Sequence, residues 1–336
     1  MRGRGCDPSS LAMFLRGGST INLLKYALRR GLQSLVTVLI VITFVFLLMR
    51  LLPVEGYFGD GYDRLTPAQR EAILDQMGLL DPWFVQLTNF YRDLARGYLG
   101  TSIILRPHIP VTEIIAPRIP YSLAFGLASL ALSLTFGLLL GIFQAREKDK
   151  LVDHLGGAYV VLINAVPAVV YLLFIQLYVT YYLKVPILFD AARPISWILP
   201  AVSMSLGGIA SYALWLRRFM VDELNRDYIK LARVKGLSNT QVMFRHVLRN
   251  GFVPLAQHLP TTILMTIAGS LFIESLYSIP GMGGLLIDAI SRQDNSLVQS
   301  LVLIYSTIGV FGLFLGDVLL AAIDPRIRLE KREGAR

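Results

Sequence analysis

The chain has 336 residues, 54% of them apolar and only 16% charged, against roughly 25% charged in an ordinary soluble domain. Mean hydropathy is +0.57 and the formal net charge is +9. The apolar residues fall in charge-free blocks. That excludes a soluble enzyme and a disordered chain, and leaves a nucleic-acid reading of the basic charge without support. A single cysteine, Cys6, excludes a disulfide framework and a Cys-rich metal site. The expected class is an all-α polytopic membrane protein.

About 20 apolar residues cross a hydrocarbon core. Six blocks lack any Asp, Glu, Lys or Arg for about that length: 31–49, 119–145, 155–183, 194–216, 251–273 and 296–316. None alternates with period two, so they predict helices rather than barrel strands. The first block is too long for a signal-peptide core and lacks a small-residue cleavage site. It reads as a retained anchor, giving a first transmembrane helix over 31–52 after an N-terminal segment 1–30.

The segment 53–118 looks folded. Thr66-Pro67-Ala68-Gln69 offers an N-cap, a proline at N1 and a glutamine at N3. It predicts a helix from Pro67 to Met77 that stops at Gly78. Asp81-Pro82 opens a second, running to Arg96 and stopping at Gly97. The Trp83, Leu87, Phe90, Tyr91 and Leu94 face of that helix suits packing against span ends, or docking of an outside partner.

In the third block Asn164 and Pro167, and in the fourth Pro200 with Gly207-Gly208, allow either close packing or bending. Asn164, Tyr171, Gln176 and Tyr178, with Tyr181 and Tyr182, are candidates to line a polar, aromatic-walled pathway. His258, Glu274 and Asp317 lie toward span ends, and no block carries a carboxylate at its midpoint.

The segment 217–250 is the most informative. Ser238 and Gln241 form a capping box, predicting a short helix from about Asn239 to Arg249. Gly236 permits the positive φ that a helix stop before it requires. The expected element is therefore helix, sharp glycine turn, short helix. Leu231, Val234, Leu237, Val242 and Val247 need burial against something. A basic loop touching anionic lipid would also fit the charge.

Lys and Arg number 22 in the segments 1–30, 146–154, 217–250 and 324–336, and 10 elsewhere. The positive-inside rule then places both termini in the cytoplasm and 53–118 outside. No G-x-x-x-x-G-K-[ST] occurs, so an ATP site of that kind would have to belong to another polypeptide.

These pieces carry a resemblance. Arg226-Asp227-Tyr228, Leu231-Ala232-Arg233-Val234-Lys235-Gly236-Leu237-Ser238 and Arg245-His246-Val247-Leu248-Arg249-Asn250 with Pro254 resemble the coupling loop of membrane subunits of binding-protein-dependent ABC importers. The wording is nearest the oligopeptide, dipeptide and nickel permease branch, B-type subunit. Lys25-Tyr26 with Leu28-Arg29-Arg30, Gly78-Leu79-Leu80-Asp81-Pro82, Gly97-Tyr98-Leu99-Gly100-Thr101-Ser102, Pro280-Gly281-Met282-Gly283 and Ile323-Asp324-Pro325-Arg326-Ile327-Arg328 resemble other parts of that branch, in order. The superfamily's Glu-Ala-Ala-x-x-x-Gly appears here as Lys230-Leu231-Ala232 through Gly236, keeping only the second alanine and the glycine.

The resemblance implies a type I ABC importer permease fold: six transmembrane helices, a core over 119–329 with its coupling loop at 217–250, and a tail 330–336. It implies no catalytic residue, cofactor or metal in this chain, ATP and Mg being bound by two partner ATPase subunits. The other implied partners are a second homologous permease, an extracytoplasmic binding protein and membrane lipid, with no nucleic acid. Asp227, Tyr228, Ala232, Arg233, Lys235, Gly236, Leu237, Ser238 and Arg245 would couple to the ATPase. The location would be a bacterial or archaeal plasma membrane. The implied cargo is an oligopeptide; the same architecture importing nickel or a metal chelate is the alternative, and a secondary carrier is a remote one.

Overall fold

The computed structural model describes residues 8–51 and 54–323. The Asp324–Arg328 part of the terminal signature and the tail 330–336 lie outside the described residues, as does Cys6. The described chain is helical apart from turns and one isolated antiparallel bridge, Thr101 to Pro110.

Helix α1 spans Pro8–Arg50 and contains the first apolar block. The segment after it forms two 3₁₀ turns and then α2 (Pro67–Gln76), α3 (Trp83–Ala95) and α4 (Val111–Ile115). The capping box on α2 is present as expected, Thr66 and Gln69 each closing on the other's backbone N–H. Gly78 and Gly97 follow α2 and α3 with φ of +66° and +74°. At Gly97 the N–H of Gly97 bonds Leu94 and that of Tyr98 bonds Asp93, the two-bond stop that a left-handed residue permits. Asp81 contributes no cap to α3, whose N-cap is Pro82. The α3 face packs inward in part: Phe90 lies 5.0 Å from Phe46 of α1, and the Tyr91 hydroxyl meets Thr43 at 2.6 Å. Trp83 stays 64% exposed.

Among the described residues, four helices are long and apolar enough to cross a membrane: Lys25–Arg50 within α1, α5 (Ile119–Arg146), α8 (Ile195–Leu224) and Asn295–Ala321 within α15 (Asn295–Ile323). A fifth candidate is the pair α6 (Leu151–Ala165) and α7 (Ala168–Leu183), which meet at 107°. The sequence pattern predicts one span there. Val166 instead takes an extended conformation (ψ 130°) before Pro167, the steric preference of a residue that precedes proline. The block 251–273 is likewise not one helix. It divides into α12 (Val253–Met265) and α13 (Leu271–Leu276), separated by a turn with Gly269 at φ +72°. α14 (Met282–Ser291) precedes α15.

Small residues set the helix spacing. α5 buries Ser122, Gly126, Ser129, Ser133, Gly137 and Gly141 along one stripe, which lets backbones approach. A Cβ on Gly137 would sit 2.9 Å from the Ile209 carbonyl of α8, and one on Gly141 the same distance from that of Ala213. Contacts advance in the same direction along both helices, so α5 and α8 run parallel. Gly208 of α8 abuts Ser133, whereas Gly207 faces open space. α12 packs antiparallel on α15, Gly312 against Thr261 and Gly316 against Gln257.

Candidate functional site: the helix–glycine–helix element

The element begins where α8 ends at Leu224. Arg226 is extended, and α9 runs Asp227–Val234. Its stop is built as the sequence implies. Gly236 has φ +81°, its N–H bonds the Arg233 carbonyl at 3.0 Å, and the Leu237 N–H reaches back to Ala232 at 3.3 Å. Ser238 and Gln241 then close a capping box on α10 (Asn239–Val242). The helix that follows does not end near Arg249. It passes through a π turn at Met243–Val247 and α11 (Leu248–Gly251), then a single turn residue, Phe252, into α12. Pro254 does not break it, because it falls in the first turn of α12 where no N–H is needed. The second arm of the element thus runs on into α12 rather than ending as a separate piece.

One face of the element is its foundation. Ile229, Ala232, Val242, Met243 and Val247 pack with Leu216, Met220 and Ala145 in a single buried cluster. Ala232 is therefore turned into the chain's own core at 8% exposure, and Leu237 packs beside it. A polar lock adds to this foundation: the Tyr228 hydroxyl bonds the Glu223 carboxylate, and Asn250 Nδ2 donates to the same hydroxyl at 2.7 Å. The sequence names Tyr228 as a site residue and Asn250 only as part of the coupling-loop resemblance, and gives no sign of Glu223; the fold brings Glu223 of α8 and Asn250 of α11 together on the Tyr228 hydroxyl.

The other face is open. Asp227, Arg233, Lys235, Gly236, Ser238 and Arg245 are all exposed. So are the apolar residues Leu231 (54%), Val234 (85%) and Phe244 (52%). Of the five apolar residues expected to need burial, Val242 and Val247 are buried and Leu237 is half-buried, while Leu231 and Val234 project outward. Lys230 hydrogen-bonds the Asp227 carboxylate at 2.8 Å and holds it below the usual carboxylate range.

The proposed pathway residues do not converge on one another. Asn164 donates to the Val160 carbonyl of its own helix at 2.8 Å. Gln176 is buried, its Nε2 tied to the carbonyls of Ile187 and Leu276 at 3.0 Å each. Tyr171 is half-buried in a cluster around Phe125 and Trp197. Tyr178 is 55% exposed in a stack with Phe174 and Tyr182.

Buried carboxylates form sites that local sequence patterns do not reveal. Glu274 is fully buried and accepts from Ser122 Oγ (2.8 Å) and the N–H groups of Ser270, Gly283 (2.7 Å) and Gly284. Asp294, also fully buried, accepts from Ser102 Oγ at 2.5 Å and the consecutive N–H groups of Ile103, Ile104 and Leu105. Burial alone would raise the Asp294 carboxyl; the Ser102 and backbone donors outweigh it and hold the group below its ordinary value. At the opposite end Arg217 grips Asp153 with two bonds of 2.5 and 2.6 Å, and Arg30 meets Asp317 at 2.6 Å. Among the described residues no group of His, Cys, Asp and Glu is placed to hold a metal ion.

A multi-helix apolar chain, with a helix–glycine–helix element seated on its own core and open on its outer face, is the arrangement that the resemblance to an ABC-importer permease leads one to expect. The comparisons carry the assignment further: residues 137–329 match the binding-protein-dependent transport system inner membrane component family, and the chain belongs to it. It is 32% identical over 307 residues to the dipeptide transport system permease protein DppB of Lactococcus lactis subsp. cremoris, covering 91% of this chain and 100% of that one. To the oligopeptide transport system permease protein OppB of Salmonella typhimurium it is 30% identical over 308 residues, with 91% and 100% covered. A solved amino acid ABC transporter chain overlays loosely on 63% of this chain and 94% of its own length, with a TM-score of 0.45 and 17% identity. The protein is thus a multi-pass permease of the bacterial inner membrane and a transport subunit.

Proposed function

We propose that the chain is one of two homologous membrane subunits of a peptide importer, driven by two separate ATPase subunits that bind ATP and Mg and supplied by an extracytoplasmic binding protein. The peptide cargo follows the relatives, whose names specify dipeptide and oligopeptide transport. Peptides share a backbone and differ in side chains, so selection belongs to the binding protein and the permease supplies a weakly selective path. In this reading α12, the Gly269 turn and α13 together complete a sixth span, and both termini face the cytoplasm, as the excess of Lys and Arg on that side requires. Residues 217–250 form the coupling loop, with Asp227, Arg233, Lys235, Gly236 and Ser238 toward the ATPase, Tyr228, Ala232 and Leu237 seating it from beneath, and Arg245 in the wall of the cavity beside it.

The observation that carries the reading is Val234. It is 85% exposed on a polar-side helix whose own foundation is complete, so the fold does not need it and a partner surface does. A Val234→Glu variant should insert and fold normally yet lose peptide import in the assembled complex. Import at the parent rate would remove the support for ATPase docking here. The topology is tested separately by single cysteines: one at Gln69 should label from outside intact cells and one at Asn239 should not.

A further inference from the structure

Beside the coupling element lies an open cavity of about 790 Å³. Arg245, His246 and Arg249 form its basic wall, and Phe252, Val253 and Pro254 its apolar one. Glu223 also lines it, but that carboxylate is occupied by the Tyr228 hydroxyl, by Asn250 and, at 3.8 Å, by Arg226. Arg245 and Arg249 lie one helical turn apart on the same face. Neither forms an ion pair among the described residues, whereas Arg217, Arg226, Lys230 and Arg30 of this helical end each face a carboxylate; Arg233 and Lys235 are likewise unpaired there, but only Arg245 and Arg249 line the cavity. Two cations sharing a face without a counter-charge are a site for an anion.

The surroundings say which kind. Within three residues of Arg249 the same helical run turns apolar and enters α12. A second basic pocket, lined by Lys25, Tyr26, Arg29, Arg30 and Gln33, lies close by. Asp317 links the two, accepting from Arg30 at 2.6 Å and from Gln257, the residue after Ala256 of the cavity wall, at 3.4 Å. Both basic pockets therefore sit at one depth, where charged helix ends give way to apolar spans. Phosphate above acyl chain is the chemistry that matches base above apolar wall; a carboxylate on a protein partner would leave Phe252 and Val253 unused.

We propose that this cavity binds the phosphate of an anionic phospholipid of the inner leaflet, with Arg245 and Arg249 as its ligands and the start of α12 against its acyl chain. The inference rests on the inward-facing placement of the coupling loop, which the cysteine labelling at Asn239 tests independently.

The full chain, reconstituted in phosphatidylcholine nanodiscs with a minor fraction of phosphatidylglycerol, should retain phosphatidylglycerol in excess of the supplied ratio, read by native mass spectrometry. At about 1 kcal/mol per base near the surface, the Arg245→Gln, Arg249→Gln double variant should lower that preference by as much as about 30-fold. Arg245→Lys, Arg249→Lys should keep most of it, which separates loss of charge from loss of fold. Arg193→Gln, at a pair remote from the cavity, should leave it unchanged. Equal retention by the parent and the Gln double variant would overturn the site. Displacement of the lipid by glycerol phosphate at comparable concentration would overturn the lipid in favour of a soluble phosphate.

Discussion

The Gly236 turn and the Asp294 cradle both pin a loop to a span, by opposite means. At Gly236 the hydrogen bonds that shape the turn are all local: two backbone bonds within α9 and its stop, and a serine capping three residues ahead. At Asp294 the ties reach back 189 to 192 residues, to Ser102 and the backbone at 103–105. The first region leaves an apolar face open; the second closes a fully buried carboxylate on donors from a distant segment. A surface meant for a partner can be built from short-range motifs that fold without it. A segment meant to stay closed on its own protein is held by a buried charge whose partners must all be present.

The largest break in that contrast should come from Glu274, the other long-range carboxylate. Glu274→Ala leaves the Ser122 hydroxyl and three backbone N–H groups without an acceptor, each costing about 1–3 kcal/mol when buried. We expect a loss of at least about 3 kcal/mol, read as a lower thermal midpoint in detergent and as loss of the α13–α14 fold. Gly281 bears on the same point, since a Cβ there would lie 2.3 Å from the Glu274 carboxylate.

Asp294 should come next, and its effect should depend on pH. Its folded carboxyl titrates below the ordinary value of 3.8. A depressed folded pKa gives stability that is fully present above the unfolded value and is lost as pH falls through the folded one. Hydrogen exchange at 103–105 should therefore be slow at neutral pH and accelerate below about pH 4, after allowance for intrinsic rates. Asp294→Ala should make the same amides fast at every pH. Slow exchange in the variant would show that the 99–110 segment does not depend on the cradle.

What was legible in the sequence follows the same division. The α2 and α3 limits, the capping boxes at Thr66 and Ser238 and the glycine stops were readable because each is decided within a few residues. Four apolar blocks were readable because length and composition suffice. Pro167 was visible, but a proline permits anything from a mild kink to a 107° reversal, and packing chose the latter. The break at Gly269 was not visible at all: it depends on Glu274, whose main acceptor contacts come from Ser122 and from α14. Gln176 looked available for a pathway because nothing local shows that Ile187 and Leu276 occupy its amide. Ala232 looked like a contact for a partner helix, and the fold turns it inward against Leu216 and Met220.

Gly236→Val tests the local side at intermediate size. A Cβ at Gly236 would meet nothing within 4 Å, so the cost is backbone strain alone, about 1–2 kcal/mol. The spans should insert normally and the thermal midpoint should move little. Peptide import and substrate-stimulated ATP hydrolysis by the assembled complex should fall sharply, because the strain redirects α10 relative to α9. A full parent rate would show that the turn geometry is not used in coupling.

The smallest effect sharpens the comparison most, because it applies one chemistry at both ends of the molecule. Ser238→Ala and Thr66→Ala each remove the hydroxyl of a complete capping box, a loss of about 1 kcal/mol to the helix that follows. Neither hydroxyl carries buried load, so neither variant should change insertion or global stability measurably. Their consequences should still differ. At Ser238 the helix being capped is the one that the proposed coupling element presents, so fraying its first turn should loosen ATP hydrolysis from transport. At Thr66 the capped helix buries no residue of its own, and hydrolysis should remain coupled. Asparagine at either position can accept the same backbone bond and should restore the parent behaviour. Equal uncoupling by the two alanine variants would mean that the outer segment takes part in coupling, and that the open face around Val234 is not where the distinction between the two ends lies.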